Sequence, residues 1–509
     1  MIQTIAIISI LVYTAVCIIV GVRSMRHSST VEGFLLGGRK MGPWLSAFSY
    51  GTSYFSAVIF VGYAGMFGWM IGLGSMWIGI GNAVIGCLIA WKLIASPTRR
   101  MTRRLGSRTM PEFFSSRYLS RGMKIYAALI IFIFLVPYAA SVYKGLGSIF
   151  SAIFVGADPV ICMAIVAVLT AVYLVLGGYI ATAYNDLIQG LIMIVGLVLM
   201  VIILVNQPEI GGFTQVVRRL SAIDPQLTKL TGGSFVKLLS INILLTSFGV
   251  WGMPQMISKY YAIKDESSIK QATIVSTVFA LIIGVGAYFT GSLSRLLLPA
   301  TAEGMPDVAG GYDGVIPTLL MEKLSANIFS IIVLCVILLL LLSASMSTLS
   351  AVVLSSASAI SIDLIQEVHP KISQKRQMII MRALCILFVL FSFLFASLGI
   401  SFIVNLMSFS WGVVAGSFIG PFIWGIYNKG ITKIGAWCGL LSGPVVVGTL
   451  LIYNVVQSGF DVAKGFAPQF GVTAMGISLV IVPLVSLITK KYSAAHLTHV
   501  FAAEETKVG

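Results

Sequence analysis

Long apolar runs alternate with short polar gaps along the whole chain. Thirteen runs stand out: 2–22, 43–69, 72–94, 124–154, 158–178, 183–205, 234–258, 269–294, 326–362, 378–398, 402–427, 433–455 and 469–489. About 20 apolar residues in a helix cross the hydrocarbon core of a bilayer. The pattern predicts an all-α polytopic membrane protein of about thirteen transmembrane helices, a single integral membrane domain over residues 1–509. The first run, "IQTIAIISILVYTAVCIIVGV", has no basic residue ahead of it and is too long for a signal-peptide core, so it is expected to be retained. The longest polar gaps, 95–123 and 206–233, read as connectors. Within the first, "MPEFFSSRYLSR" reads as a short interfacial amphipathic helix. Residues 503–509 read as a polar tail.

Basic residues set the orientation. Arg99, Arg100, Arg103, Arg104, Arg108, Arg117 and Arg121 crowd 95–123. Arg23, Arg26, Arg39 and Lys40 lie in 23–42, and Lys371, Lys375 and Arg376 in 363–377. With thirteen spans all three segments share one side, expected to be cytoplasmic in a cell membrane. The N-terminus is then outside and the C-terminus, beyond Lys490 and Lys491, inside. Arg218, Arg219 and Lys229 run mildly against this, which a long loop tolerates. The net charge of +16 is thus read as topology and contact with anionic membrane lipid, not as a nucleic-acid footprint. A composition of 58% hydrophobic and 10% charged residues, with mean hydropathy +0.99, lies outside the soluble range. Cys17, Cys87, Cys162, Cys335, Cys385 and Cys438 all fall in apolar runs without metal or redox spacing, and read as small core residues. His27, His369, His496 and His499 fall in cytoplasmic segments, where none is placed for zinc or intramembrane acid–base work.

Polar groups inside spans are expensive and mark function. The second span, "LSAFSYGTSYFSAVIFVGYAG", combines Ser46, Ser49, Thr52, Ser53 and Ser56 with a central Gly51. The seventh, "SINILLTSFGVWGMPQM", places Gly249, Gly252 and Pro254 in its body. Non-helical backbone at this depth needs cover from protein or water. Two interrupted spans at corresponding positions of two halves point to an inverted-repeat secondary transporter. Residues 43–205 then form one repeat and 234–427 the other, with 1–42 and 428–509 peripheral. The plain alternative is two kinked helices.

The ninth span changes half way from leucine to hydroxyls: "LLLLLSASMSTLSAVVLSSASAISID" (338–363). Ala344, Ser347 and Thr348 stand at i, i+3 and i+4 and share one face. Bonding back to the i−4 carbonyl explains why such hydroxyls are tolerated, and suffices for Ser355, Ser356 and Ser358. It does not explain their concentration on one face. Neutral hydroxyls beside unwound carbonyls suit a hard monovalent cation, and point to sodium.

Seven fragments in register resemble the sodium:solute symporter family: "FLLGGRKMGPW" (34–44), "TSYFSAVIFVGYAG" (52–65), "WIGIG" (77–81), "GGYIATAYNDLIQG" (177–190), "WGMPQM" (251–256), "SASMSTLSAVVLSSASAISID" (343–363) and "SFSWGVVAGSFIGP" (408–421). The resemblance implies a leucine-transporter-like core of two inverted five-helix repeats. It implies a main sodium site of backbone oxygens from Thr52, Phe55 and Ala344 with the hydroxyls of Ser347 and Thr348. Some members bind a second sodium through the aspartate of the fourth fragment, here Asp186, with serines of the ninth span, here Ser347 and Ser350. The next position is Ala351, so one ligand used elsewhere is missing. Asp186 also reads as an N-cap of the sixth span. Proline-type symporters are nearest in pattern, through "WIGIGNAVIGCLIAWKLIA" and "FLLGGRKMGP". Yet Tyr54 stands where they carry an aspartate, and Thr246 and Val250 where they carry Trp and Tyr. Pantothenate-type members have a Tyr at the position of Tyr54.

Candidate solute contacts are Tyr54, Ser56, Trp77, Asn82, Trp251, Gln255, Ser408 and Trp411, where broken helices should face each other. Each also reads as an interface anchor or ordinary core. Lys144 is the only base expected near that depth, and Arg295 closes the eighth span. Snorkelling to headgroups is the ordinary reading for both; pairing with a solute carboxylate is the other for Lys144. A channel would need a lined filter, and a membrane enzyme a nucleophile with a base or a metal cluster. Neither pattern is present. The expected function is sodium-coupled import, by alternating access, of a small organic solute such as proline, another amino acid or a small carboxylate. The alternatives are proton coupling through Asp186, or sodium-coupled uptake of pantothenate or sialic acid. Sodium is the one ion expected; solute, sodium and lipid are the expected partners, with no obligate protein partner.

Overall fold

A computed structural model describes residues 2–24, 30–154, 156–325, 328–399 and 402–502. Arg26, His27 and the 503–509 tail lie outside the described residues. All thirteen apolar runs fall on helix, and the chain is a multi-pass membrane protein. Among the described residues, eleven helices are long and apolar enough to cross a bilayer. The difference from thirteen has two causes. The second and third spans turn into each other at Gly72 (φ 65°, ψ −138°) with no loop between them, and the fifth runs in helix from Pro159 directly into the sixth. The fifth and sixth spans meet without a loop at Gly178 (φ 57°), where a Cβ would stand 2.5 Å from the Phe34 ring. Only glycine takes that backbone and that contact easily.

The second and seventh spans are both broken. The first half of the second runs Pro43–Tyr54, and Phe55 is extended (φ −105°, ψ 108°). Helix resumes through a wide turn at Val58–Tyr63 and continues over Ala64–Ile71. The seventh span runs Val236–Gly249, tightens over Val250–Gly252, and breaks at the extended Met253 (φ −85°, ψ 120°) before Pro254–Ala262. Pro254 therefore opens a half-helix, where no amide is required, and holds Met253 extended. It does not kink a continuous helix.

The ninth span, Ile328–Ser358, is buried along most of its length, its leucines as well as its serines. It lies inside the bundle, so the change from leucine to serine is a change of protein neighbour, not of solvent. The eighth span, Glu266–Leu297, packs closely on the second and third. A Cβ on Gly291 would lie 1.9 Å from the Ala64 carbonyl oxygen, and one on Gly79 2.4 Å from the Gly284 carbonyl carbon.

One end of the bundle gathers the basic connectors. Arg39 donates to the Ser107 carbonyl (2.8 Å), Arg103 to the Arg39 and Lys264 carbonyls (both 3.0 Å), and Arg121 to that of Glu367 (3.1 Å). Lys124 pairs with Glu367 (3.0 Å) and lies 3.9 Å from the buried Asp363. The helix expected to lie on the membrane surface, Met110–Tyr118, instead packs into this end. Phe113 and Phe114 meet Phe422 and Phe418, and buried Arg117 donates to the carbonyls of Gly425 (2.9 Å) and Asn428 (3.0 Å).

Candidate ion and solute site

The break in the second span exposes carbonyls that have no next turn to bond, and the hydroxyl face of the ninth span covers them. Ser347 donates to the Thr52 carbonyl (2.8 Å) and sits 3.0 Å from that of Ala344. Thr348 Oγ1 lies 3.4 Å from the Thr52 carbonyl, 3.2 Å from Ser53 and 3.1 Å from Ala344. Ser345 accepts the N–H of Ala57 (3.2 Å), just past the break. Thr52, Phe55, Ala344, Ser347 and Thr348 are all buried. The Ser347 and Thr348 hydroxyls lie within hydrogen-bond reach of the Thr52 and Ala344 carbonyls, all neutral, and Phe55 supplies the extended backbone beside them. Such a cluster can hold a monovalent cation through dipoles alone; it has no charge with which to repay dehydration of a divalent one.

Asp186 does not cap the sixth span. The sixth span begins at Gly178, so Asp186 is two turns inside the helix and caps nothing. It is buried, and its Oδ2 accepts from Ser49 (2.6 Å). Ser49 in turn accepts from the ammonium of Lys259 (2.7 Å), which stands 4.9 Å over the ring of Tyr179. Ser350 donates back to the Ser347 carbonyl (2.9 Å). Lys259 was missed by the sequence reading, which ended the seventh span at 258 and treated Lys144 as the only deep base. Reading Pro254 as the start of a half-helix would have carried the span through Lys259.

The solute candidates divide. Tyr54 donates to the Thr246 carbonyl (2.7 Å) and stacks on Trp411 (6.4 Å), which meets Tyr138 edge-on (5.7 Å). Ser408 pairs with the Tyr63 hydroxyl (3.2 Å), and Ser56 lies at the break, accepting the N–H of Val58 (3.2 Å). Gln255, in the first turn after the second break, is buried, and its Oε1 has no hydrogen-bond partner among the described residues. Glycines let the broken seventh span close on this wall: a Cβ on Gly249 would touch Trp411 at 2.8 Å.

Other candidates brace helices. Asn82 accepts from Thr246 (2.8 Å) and Ser247 (3.1 Å), tying the third span to the seventh. Trp251 donates to the Ile85 carbonyl (3.2 Å) across the same seam. Trp77 is 44% exposed, because Gly79, two residues on and so nearly opposite, takes the face against the eighth span. It does not join the site. Lys144 does not reach for headgroups alone: it pairs with Asp313 at 3.9 Å, and both line a cavity of about 750 Å³. Asp313 accepts the N–H of Ile403 (3.2 Å) at the start of the eleventh span. Burial raises its carboxyl to about 6, with Lys144 and that N–H pulling the other way. Arg295 donates to the Gly304 carbonyl (2.7 Å) and covers the Trp69 ring, so it too is held by protein.

Comparison with known proteins bears on this arrangement. The model of a family described as sodium:solute symporter family matches residues 34–443. An osmoregulated proline transporter, OpuE, of Bacillus subtilis is 26% identical over 495 residues, covering 96% of each chain. A sodium/proline symporter of Staphylococcus aureus is 27% identical over 504 residues, 96% of this chain and 93% of that one. Among solved structures, a Na+-coupled sialic acid symporter in a substrate-bound, outward-open state superposes with a TM-score of 0.75 at 17% identity, over 96% and 99% of the two chains. Mhp1, a nucleobase-cation-symport-1 family transporter, gives 0.51 at 14% identity, over 92% and 97%. The fold is the leucine-transporter-like one.

Proposed function

The chain belongs to the sodium:solute symporter family, and from that premise we propose that it imports a small organic solute by sodium-coupled alternating access. One observation carries the reading: the Ser347 and Thr348 hydroxyls lie against the Thr52 and Ser53 carbonyls at the break of the second span. In this proposal the main sodium site is Thr52, Phe55, Ala344, Ser347 and Thr348. Residues 43–205 and 234–427 are the two repeats, and the basic end of the bundle faces the cytoplasm, with the N-terminus outside. Sodium binding draws the ninth span onto the break of the second. The half-helix ending at Tyr54 then sets the wall formed with Trp411 and Tyr138 for the solute.

The solute proposed first is proline. The named relatives that match along their full length are proline transporters, and a flat apolar ring suits Tyr54, Trp411 and Tyr138 while Gln255 addresses a polar end. Tyr54, Ser56, Gln255, Ser408 and Trp411 are the proposed contacts. The test is uptake into proteoliposomes of labelled proline, other amino acids, short carboxylates, pantothenate, sugars and sialic acid, with and without an inward sodium gradient. Proline should be taken up saturably and only with sodium. Uptake driven equally by a proton gradient without sodium would overturn the coupling, and sodium-driven uptake of another solute alone would overturn the choice of proline.

A further inference from the structure

The ion site as assigned makes no use of Lys259, an amine that is 2% exposed and buried in the protein interior. Its ammonium donates to Ser49 and Ser49 donates to Asp186, so one hydroxyl relays between a buried cation and a buried anion. This group borders the sodium site. Ser49 is one helical turn before Thr52, whose side chain lies beside the Asp186 carboxylate. Gly190, one turn past Asp186, is near enough to Thr52 that a Cβ there would stand 3.1 Å from its methyl.

We infer that the Lys259 ammonium is a tethered cation that takes the place of a second sodium at Asp186, leaving the carrier one sodium per cycle. The inference rests on the sodium-coupled reading above. Charge is the first reason. Asp186 with Lys259 is neutral, and a sodium added beside them would leave a net positive charge in a dry interior, at a cost of several kcal/mol. Ligand supply is the second. A hard cation gathers about six oxygens, whereas Ser350 is turned back onto the Ser347 carbonyl, position 351 is alanine, and one oxygen of Asp186 is committed to Ser49. The other, Oδ1, has no hydrogen bond among the described residues; one free oxygen does not build a shell. Access is the third. A narrow cleft of about 30 Å³, room for a water or two, reaches Lys259 from the basic end, and the charged residues lining it, Arg108 and Lys259, are both cationic.

The experiment is equilibrium binding of radioactive sodium to the purified full chain in detergent, counted per protein, with no solute added. The wild type should bind one sodium, as should Lys259→Arg, which keeps the charge. Removing the ammonium and restoring the ligand together, in Lys259→Gln/Ala351→Ser, should bring the count to two, and adding Asp186→Asn should return it to one. The sodium retained at the main site reports that each variant is folded. A wild-type count of two overturns the inference and leaves sodium coupling standing. A double variant that stays at one also overturns it. A wild-type count of zero would overturn the sodium-coupled reading itself.

Discussion

Ser347 and Thr348 each lend a hydroxyl to carbonyls of the second span, so truncating them separates ion binding from folding. Ser347→Ala and Thr348→Ala should each raise the sodium concentration for half-maximal uptake tenfold or more, since losing about 1.4 kcal/mol is a factor of ten. A neutral hydrogen bond contributes only about 1 kcal/mol to stability, so both variants should reach the membrane at normal levels. Unchanged sodium dependence would remove these residues from the site. Asp186 behaves differently, because its loss strands the ammonium of Lys259. Asp186→Asn should remain sodium-coupled yet melt earlier, by roughly 3–5 kcal/mol of stability for a broken buried pair. Asp186→Asn/Lys259→Gln should recover part of that loss; a double variant no more stable than the single one would mean that the two charges do not support each other. The hydroxyl pair was legible in the sequence because its spacing lies within one helix. Lys259 was not, because its burial depends on where a half-helix begins, and that is decided by the extended Met253 ahead of Pro254.

Two broken spans and their covers make up the site at the scale of elements. The composition of the second and seventh spans pointed to both breaks, since glycine, proline and hydroxyls are costly in a helix surrounded by lipid. What covers each break is a tertiary matter. Trp77 and Trp251 looked like solute contacts until packing turned one outward and tied the other to Ile85. The eighth span fits only because its glycines meet backbone. Gly291→Val should therefore cost at least about 1–3 kcal/mol by overpacking, read as loss of the monodisperse protein in size-exclusion chromatography; a stable variant would contradict the close approach to Ala64. At the other end, Asp313 joins the 298–325 connector to the eleventh span. Its carboxyl, raised from 3.8 to about 6, favours the neutral form in the fold. That contribution is full below the ordinary carboxylate range and is lost as pH rises through about 6. Wild-type melting should fall relative to Asp313→Asn between pH 4 and 7, by up to ~3 kcal/mol at about 1.4 kcal/mol per pH unit. A difference independent of pH would contradict this account of Asp313.

The whole molecule converts a sodium gradient into a solute gradient, and its layout as a bundle of thirteen helical runs was readable from hydropathy alone. The loopless joins of the second span to the third and of the fifth to the sixth were not, because a turn made at a single glycine leaves no polar gap in an apolar pattern. The clustering of arginines at one end was readable, and the structure brings those segments into contact. If the main site is neutral and Lys259 replaces a second ion, each cycle carries one uncompensated positive charge with a neutral solute. A potential of 100 mV then supplies about 2.3 kcal/mol per charge, and a tenfold sodium gradient about 1.4 kcal/mol. Together, about 3.7 kcal/mol supports accumulation of roughly 500-fold, at 1.4 kcal/mol per factor of ten. The direct measurement is steady-state accumulation of a transported neutral or zwitterionic solute in proteoliposomes under those two gradients, with the potential then collapsed. A ratio near 500-fold that falls to about tenfold without the potential is the predicted result. Accumulation indifferent to sodium or to the potential, or held well above about a thousandfold, would contradict a carrier coupled to one sodium at a neutral site.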